Sequence, residues 1–167
     1  MKKRIILLCF GIMVSIAAAS PPAYQPTKDK LLFISKKHIF EEGIYKRSLT
    51  PLLFVEALYY AEVISPEIVY KQAQIETGQF TSNLLWRGNN VFGMKMARRR
   101  ETTATSIVYG HAGYSHWYDS VKDYVLWQRW HKERGYSLDN YLLFLQEVGY
   151  ATDINYINKL KSISDYS

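Results

Sequence analysis

Residues 72–93 read QAQIETGQFTSNLLWRGNNVFG. One carboxylate, Glu76, stands there among Ile75, Phe80 and Trp86, and Thr77 and Gly78 follow it at once. Upstream, Ser65-Pro66-Glu67 has the form of a helix start, with serine as cap and proline in the first turn. Gly78 closes that helix, because glycine adopts the left-handed backbone of a helix terminus at little cost. Glu76 then falls in the last turn, where the macrodipole is negative and disfavours an ionised acid. Ile75 and Phe80 add desolvation in the same direction. Both effects raise the pKa and keep a proton available near neutral pH, as a general acid requires. A solvated glutamate at an ordinary helix end fits the same residues, so the decision rests on the remainder of the chain.

Asp29 begins a helical pattern with Leu32, Ile39 and Phe40 apolar, ending at Gly43. Thr50-Pro51 opens a second helix ahead of the one that carries Glu76. Beyond Gly78 comes a short helical or irregular piece and then the loop RGNNVFGMK. In TSIVYGHAGYSHWY, β-branched and aromatic residues flank GHAG, which predicts a β-hairpin turning there. Ser120, with Asp123 three residues on, predicts a capped helix through about Glu133. Ser137 starts another that Gly149 closes, and YATD leads into a last helix, INYINKLKSI. The expected class is α+β: mostly helix with one small hairpin lobe.

The first twenty residues, MKKRIILLCFGIMVSIAAAS, have a basic start, an apolar run and a small-residue end. That is the layout of a secretory signal over residues 1–19, cut after Ala17-Ala18-Ala19. Leu8 before Cys9 argues against a lipid-anchored cysteine, and the apolar run is short for a membrane span. Residues 20–28, with three prolines in SPPAYQP, read as an arm, leaving 29–167 as one domain. Cleavage removes Lys2, Lys3, Arg4 and no acid, so the net charge falls from +6 to +3. A nucleic-acid partner thereby loses its main support. The single cysteine goes too, which excludes thiol catalysis in the exported domain.

His38, His111, His116 and His131 show no metal-ligand spacing, although His111 and His116 flank the expected hairpin turn and could meet. No phosphate loop, dinucleotide fingerprint or nucleophile elbow occurs, so neither a cofactor nor a metal is implied. Carboxylate chemistry remains.

Four blocks, AQIETGQFTSNL, GNNVFGMK, YSHWYDSVKDYVLWQ and GYATDINYINKL, resemble in order the glucosaminidase family of peptidoglycan hydrolases, glycoside hydrolase family 73. The resemblance implies a lysozyme-like fold with a cleft, and cleavage of the β-1,4 bond after N-acetylglucosamine in peptidoglycan glycan strands. Glu76 matches the catalytic acid of that family, with Thr77 where serine is more common. Asn89, Asn90, Phe92, Gly93 and Lys95 match its N-N-x-F-G-x-K block at the cleft floor. Asparagine amides there could bond sugar hydroxyls or acetamido groups. Tyr150 and Asp153 match the Y-A-T-D block, whose tyrosine lies near the acid, while Asp153 also suits a helix cap.

Members are expected to place a second acid on the hairpin lobe. Glu101 is the nearest downstream choice and Asp119 the alternative, or the substrate's own acetamido group could assist. Trp117 suits either a sugar platform or packing, and at least one of Trp127 and Trp130 belongs in the core. The run from Lys95 to Arg100 reads as a solvated loop or as an attractor of acidic wall groups. The expected function is an exported muralytic glucosaminidase with Glu76 as proton donor. A lytic transglycosylase on the same fold, or a non-catalytic glycan-binding or assembly protein, is the rival.

Overall fold

The computed structural model describes residues 27–164. The expected signal segment, 1–19, and residues 20–26 of the arm lie outside the described residues. Seven helices and one hairpin follow in chain order: α1 Lys28–Ile44, α2 Pro51–Tyr60, α3 Pro66–Thr77, α4 Asn83–Gly88, β1 Ser106–Val108, β2 His111–Gly113, α5 Trp117–Lys132, α6 Tyr141–Glu147 and α7 Tyr156–Ser162. The α+β character expected from the sequence is present.

Local chemistry explains where most elements begin. Thr50 Oγ1 accepts the Leu53 amide at 3.2 Å and Pro51 supplies the first turn of α2. Ser82 does the same for α4 through Leu85 N. Ser65 departs from expectation: its backbone is left-handed (φ 55°) and its side chain caps nothing, so α3 starts on Pro66 alone. α5 begins at Trp117, ahead of the expected Ser120. His116 Nδ1 accepts Tyr118 N, and Asp119 reaches back to the His116 amide at 3.2 Å. Asp119 is therefore a capping residue.

The hairpin turns at Tyr109-Gly110, both at positive φ (51° and 75°), rather than at GHAG. Two successive positive φ values match the strand twist of a two-residue turn, and Gly110 takes the second without strain. Ser106 pairs Gly113, Ile107 pairs Ala112, and Val108 pairs His111 in the antiparallel ladder. His111 lies in β2 beside the Tyr109 carbonyl, whereas His116 Nε2 sits 3.2 Å from Arg47 O. The two histidines thus serve separate local bonds.

The core forms where α2, α3 and α5 face one another. Leu53, Phe54, Ala57 and Leu58 present one buried face of α2, and Val69 and Ala73 one face of α3. Tyr118, Val121 and Tyr124 of α5 close on them, and Phe144, Leu145 and Leu160 of α6 and α7 complete the packing.

One ion pair inside this frame was not legible as such. Asp123, fully buried on α5, accepts Arg100 Nη1 at 2.7 Å and Nη2 at 3.0 Å, Thr103 N at 3.3 Å and the Tyr114 hydroxyl at 2.8 Å. Four donors saturate both carboxylate oxygens, which makes a buried charge tolerable. The pair fastens the 95–105 segment to α5. Asp123→Asn strands the Arg100 guanidinium, and about 3–5 kcal/mol of stability should be lost. Urea unfolding measures this; a loss under about 1 kcal/mol would show that the pair is not a fastening.

Candidate active site

Glu76 occupies the last turn of α3, whose C-cap is Gly78 at φ 55°. The chain then stays left-handed through Gln79 (φ 60°) and Phe80 (φ 63°), a conformation that costs a non-glycine residue about 1–3 kcal/mol. Thr77 holds this turn. Its hydroxyl donates to Ala73 O at 2.5 Å and accepts Phe80 N at 2.8 Å, while its carbonyl accepts Thr81 N and Ser82 N. The α3 terminus is thereby locked in place directly beyond the acid.

The two carboxyl oxygens of Glu76 differ. Oε1 accepts a 3.0 Å hydrogen bond from the Tyr156 hydroxyl. Oε2 has no hydrogen bond from the protein among the described residues and lies beside Gly93, where a Cβ would stand only 3.1 Å away. Gly93 also sits at φ 63°, so both the backbone and the close approach to the acid favour glycine there. With Oε1 engaged as an acceptor, a carboxyl proton resides on Oε2. Burial raises the Glu76 pKa above the usual carboxylate value; the Tyr156 hydrogen bond and the charge of His111 oppose this and do not cancel it.

Glu76 lines a cleft of about 530 Å³. The other walls are the 92–100 segment, Trp127, Trp130 and His131 of α5, and Val148-Gly149-Tyr150 beyond α6. Glu76 is the only carboxylate among these lining residues. The hairpin stands behind the 92–100 wall, tied to it by Ala112 N to Met94 O at 2.9 Å and by Lys95 Nζ to Gly110 O at 3.2 Å.

Behind the acid runs a buried chain of hydrogen bonds. Gln72 Nε2 donates to the Tyr156 oxygen at 3.4 Å, and Gln72 Oε1 accepts the Tyr124 hydroxyl at 2.8 Å. Tyr124 has only one proton, so Tyr141, 2.7 Å away, donates to Tyr124. Tyr141 in turn accepts Gln128 Nε2 at 2.7 Å, and Gln128 is bound to both the amide and the carbonyl of Ile64. From Gln128 through Tyr141, Tyr124, Gln72 and Tyr156 each group donates to the next toward Glu76, while the second Gln128 Nε2 proton goes back to Ile64 O.

Of the residues singled out from sequence, Tyr150 joins Glu76 at the cleft. Its hydroxyl is turned inward to Phe92 O at 3.1 Å and its ring lies against Tyr156. Asn90 is 1 % exposed, and its amide is fully used: it donates to Met94 O and Ala112 O and accepts Phe92 N and Met94 N. Asn89 caps α4 and donates to Tyr114 O and Ser115 O, on the side of a second groove. Both asparagines shape the loop, so the amides expected to meet sugar meet backbone instead. Phe92 touches the cleft, but its ring is packed 4.3 Å from that of Tyr124. Packing also wins for Trp117, which is 4 % exposed and donates to Arg47 O at 3.1 Å. Asp153 is exposed and outside the cleft lining, holding the Asn155 amide and Lys159, which lowers its pKa. Glu101 is exposed and likewise outside the lining. Asp119 is occupied by His116 N, the Tyr45 hydroxyl and Lys122.

A family model described as mannosyl-glycoprotein endo-beta-N-acetylglucosaminidase matches residues 54–166, more than half of the chain. The chain belongs to the glucosaminidase family. Its domain is that of a glycosidase on the lysozyme-like α+β fold. Neither a curated protein nor a solved structure matched it.

In this glucosaminidase the residue bonded to the acid is Tyr156, not Tyr150. It lies in the same GYATDINYINKL block, but a tyrosine at the head of a helix carries no mark of its partner in sequence. Trp127 and Trp130 both reach the cleft, half-buried, and Trp127 also packs against the core rings of Tyr124 and Phe144, as expected of one of the pair. Their three-residue spacing puts them on one face of α5, and that face borders the cleft. Because the Tyr156 hydrogen bond favours the ionised acid, Tyr156→Phe should raise the Glu76 pKa further. The alkaline limb of the kcat/KM profile should move to higher pH while kcat falls. An unchanged limb would show that the contact does not act on the acid.

Proposed function

We propose that this glucosaminidase is an exported peptidoglycan hydrolase that cleaves the β-1,4 bond after N-acetylglucosamine, with Glu76 as general acid. The observation that carries the reading is the environment of Glu76. Burial favours its protonated form, one oxygen is fixed by Tyr156, and the other is open on a cleft of about 530 Å³. That volume suits a few sugar rings lying against Trp127, Trp130 and Tyr150. The open groove and the aromatic faces are what a polymer needs in order to bind along its length.

In the proposed step the Oε2 proton passes to the glycosidic oxygen as the bond to the anomeric carbon breaks, with an oxocarbenium-like transition state. Glu76 is left ionised, and Tyr156 stabilises that anion. No second carboxylate lines the cleft among the described residues, so the cation at the anomeric carbon is met by the sugar's own acetamido oxygen. Water then opens that cyclic intermediate, and Glu76 takes up the proton the water loses. The cycle closes with a reducing N-acetylglucosamine end. Asn90 contributes by setting the loop that delivers Gly93, and Asp153 by fixing the start of α7 that bears Tyr156. Glu101, exposed on the segment before β1, has no part in this step.

A single acid also suits a lytic transglycosylase, in which a hydroxyl of the glycan replaces water. The products separate the two. Digestion of purified peptidoglycan should yield reducible N-acetylglucosamine ends; anhydro-muramyl ends would establish the transglycosylase instead. Glu76→Gln should lower turnover by at least about 10²–10⁴-fold while the fold persists, because the amide keeps the shape and cannot donate the proton. Glu101→Gln should stay within about threefold of wild type, and a loss comparable to that of Glu76→Gln would restore it as the second carboxylate. No cleavage by wild type on any wall type would favour a binding protein.

A further inference from the structure

The run from Lys95 to Arg100 is solvated, as its composition suggests, but it is also anchored and lines the cleft. Four cations lie in it, and all four line the Glu76 cleft. Two are engaged by the protein: Lys95 Nζ binds Gly110 O at 3.2 Å, and Arg100 is held on both arms by Asp123. Arg98 and Arg99 are exposed and have no side-chain partner among the described residues. Their backbone is nonetheless fixed. Arg100 anchors it on one side, and Trp130 Nε1 donates to Arg99 O at 3.1 Å from the facing helix.

Two exposed guanidinium groups on a cleft wall, with no counter-charge among the described residues, are free to take an anion from a ligand. The cleft does not contain one. Its only acid, Glu76, is the group whose burial favours the neutral form, and Glu101 is exposed outside the lining. Arginine's planar fork matches a carboxylate with two parallel hydrogen bonds, a geometry that a point-charge ammonium lacks. A neutral glycan offers these residues nothing charged. A strand bearing carboxylates offers what they lack.

We infer that Arg98 and Arg99 form an anion subsite that binds the carboxylates of the peptide stems on the glycan strand. The subsite selects stem-bearing strand over neutral glycan in the cleft; this rests on the peptidoglycan reading above. It sits on the same wall as Gly93, which abuts the acid, so a stem held there also sets where along the strand Glu76 acts.

The test uses one purified peptidoglycan in two forms, native and with its carboxylates converted to neutral methylamides. Co-sedimentation measures binding without requiring cleavage. The wild type should bind the native form about five- to tenfold more tightly than the neutral form, the effect of two partly exposed ion pairs. The double variant R98Q/R99Q should bind both forms alike, as weakly as wild type binds the neutral one. A control that removes two cations from α1, K28Q/K36Q, should keep the full preference. On cleavable wall, the half-saturating substrate concentration of R98Q/R99Q should rise by the same factor with kcat unchanged. Equal wild-type binding to the two forms overturns the subsite, as does a preference that survives in R98Q/R99Q or disappears equally in K28Q/K36Q. Preferential binding without any cleavage leaves the subsite standing and removes the hydrolase reading. Cleavage without preference does the reverse.

Discussion

The hydrogen bond from Tyr156 to Glu76 is the terminus of a series that crosses the core from Ile64, and the site depends on that whole series being satisfied. Gln72, Tyr124 and Gln128 are buried polar residues that could not remain so without partners. Each has them only because α3, α5, α6 and α7 are packed in this arrangement. The link runs both ways. The fold fixes the direction in which every hydroxyl and amide donates, and that direction delivers one donor to one oxygen of the acid. The other oxygen keeps its capacity to hold and release a proton. A carboxyl in a wholly apolar site would be neutral but inert as a later base; one in a fully polar site would be ionised from the start. Partial burial with a single donor lies between these limits.

The opposite wall of the cleft is built by a different device. Its segment has no regular secondary structure from Met94 to Thr105, so backbone ladders cannot hold it. Backbone bonds to the hairpin hold only its two ends, and side chains hold the rest: Asn90 ties both ends of the NNVFGMK turn, and Asp123 gathers Arg100, Thr103 and Tyr114. Gly93 then approaches Glu76 so closely that a Cβ there would crowd the carboxylate at 3.1 Å. A polar network inside the core and a polar clamp on the loop thus meet at one carboxylate. Membership of the glucosaminidase family is consistent with both.

Much of this was legible in the sequence where a local rule governs. Thr50-Pro51 and the Gly78 terminus announced their helices because caps act within a few residues. Glu76 was legible because the dipole, Gly78 and Ile75 are all its chain neighbours. What local rules cannot reach is the partner of a long-range bond. Tyr156 is 80 positions from Glu76, and Asp123 is 23 from Arg100. Asp123 looked like a cap for a helix starting at Ser120 because the three-residue spacing is right; the real cap, one turn earlier, used a histidine, a residue seldom read that way. The hairpin turn was placed two residues late because the flanking β-branched and aromatic residues centre it on GHAG, whereas the backbone took the Tyr109-Gly110 pair at positive φ. Asn89 and Asn90 show the general difficulty. An amide in a loop can face a ligand or the loop itself, and composition does not tell which.

General-acid catalysis by Glu76 requires that it hold its proton in the free protein. The direct measurement is a carbon NMR titration of the side-chain carboxyl, assigned by its loss in Glu76→Gln. A midpoint clearly above the ordinary glutamate value of 4.5 is predicted, as burial requires. A midpoint at or below 4.5 would mean that Tyr156 and His111 outweigh burial, and that the group is an ionised structural carboxylate rather than a general acid.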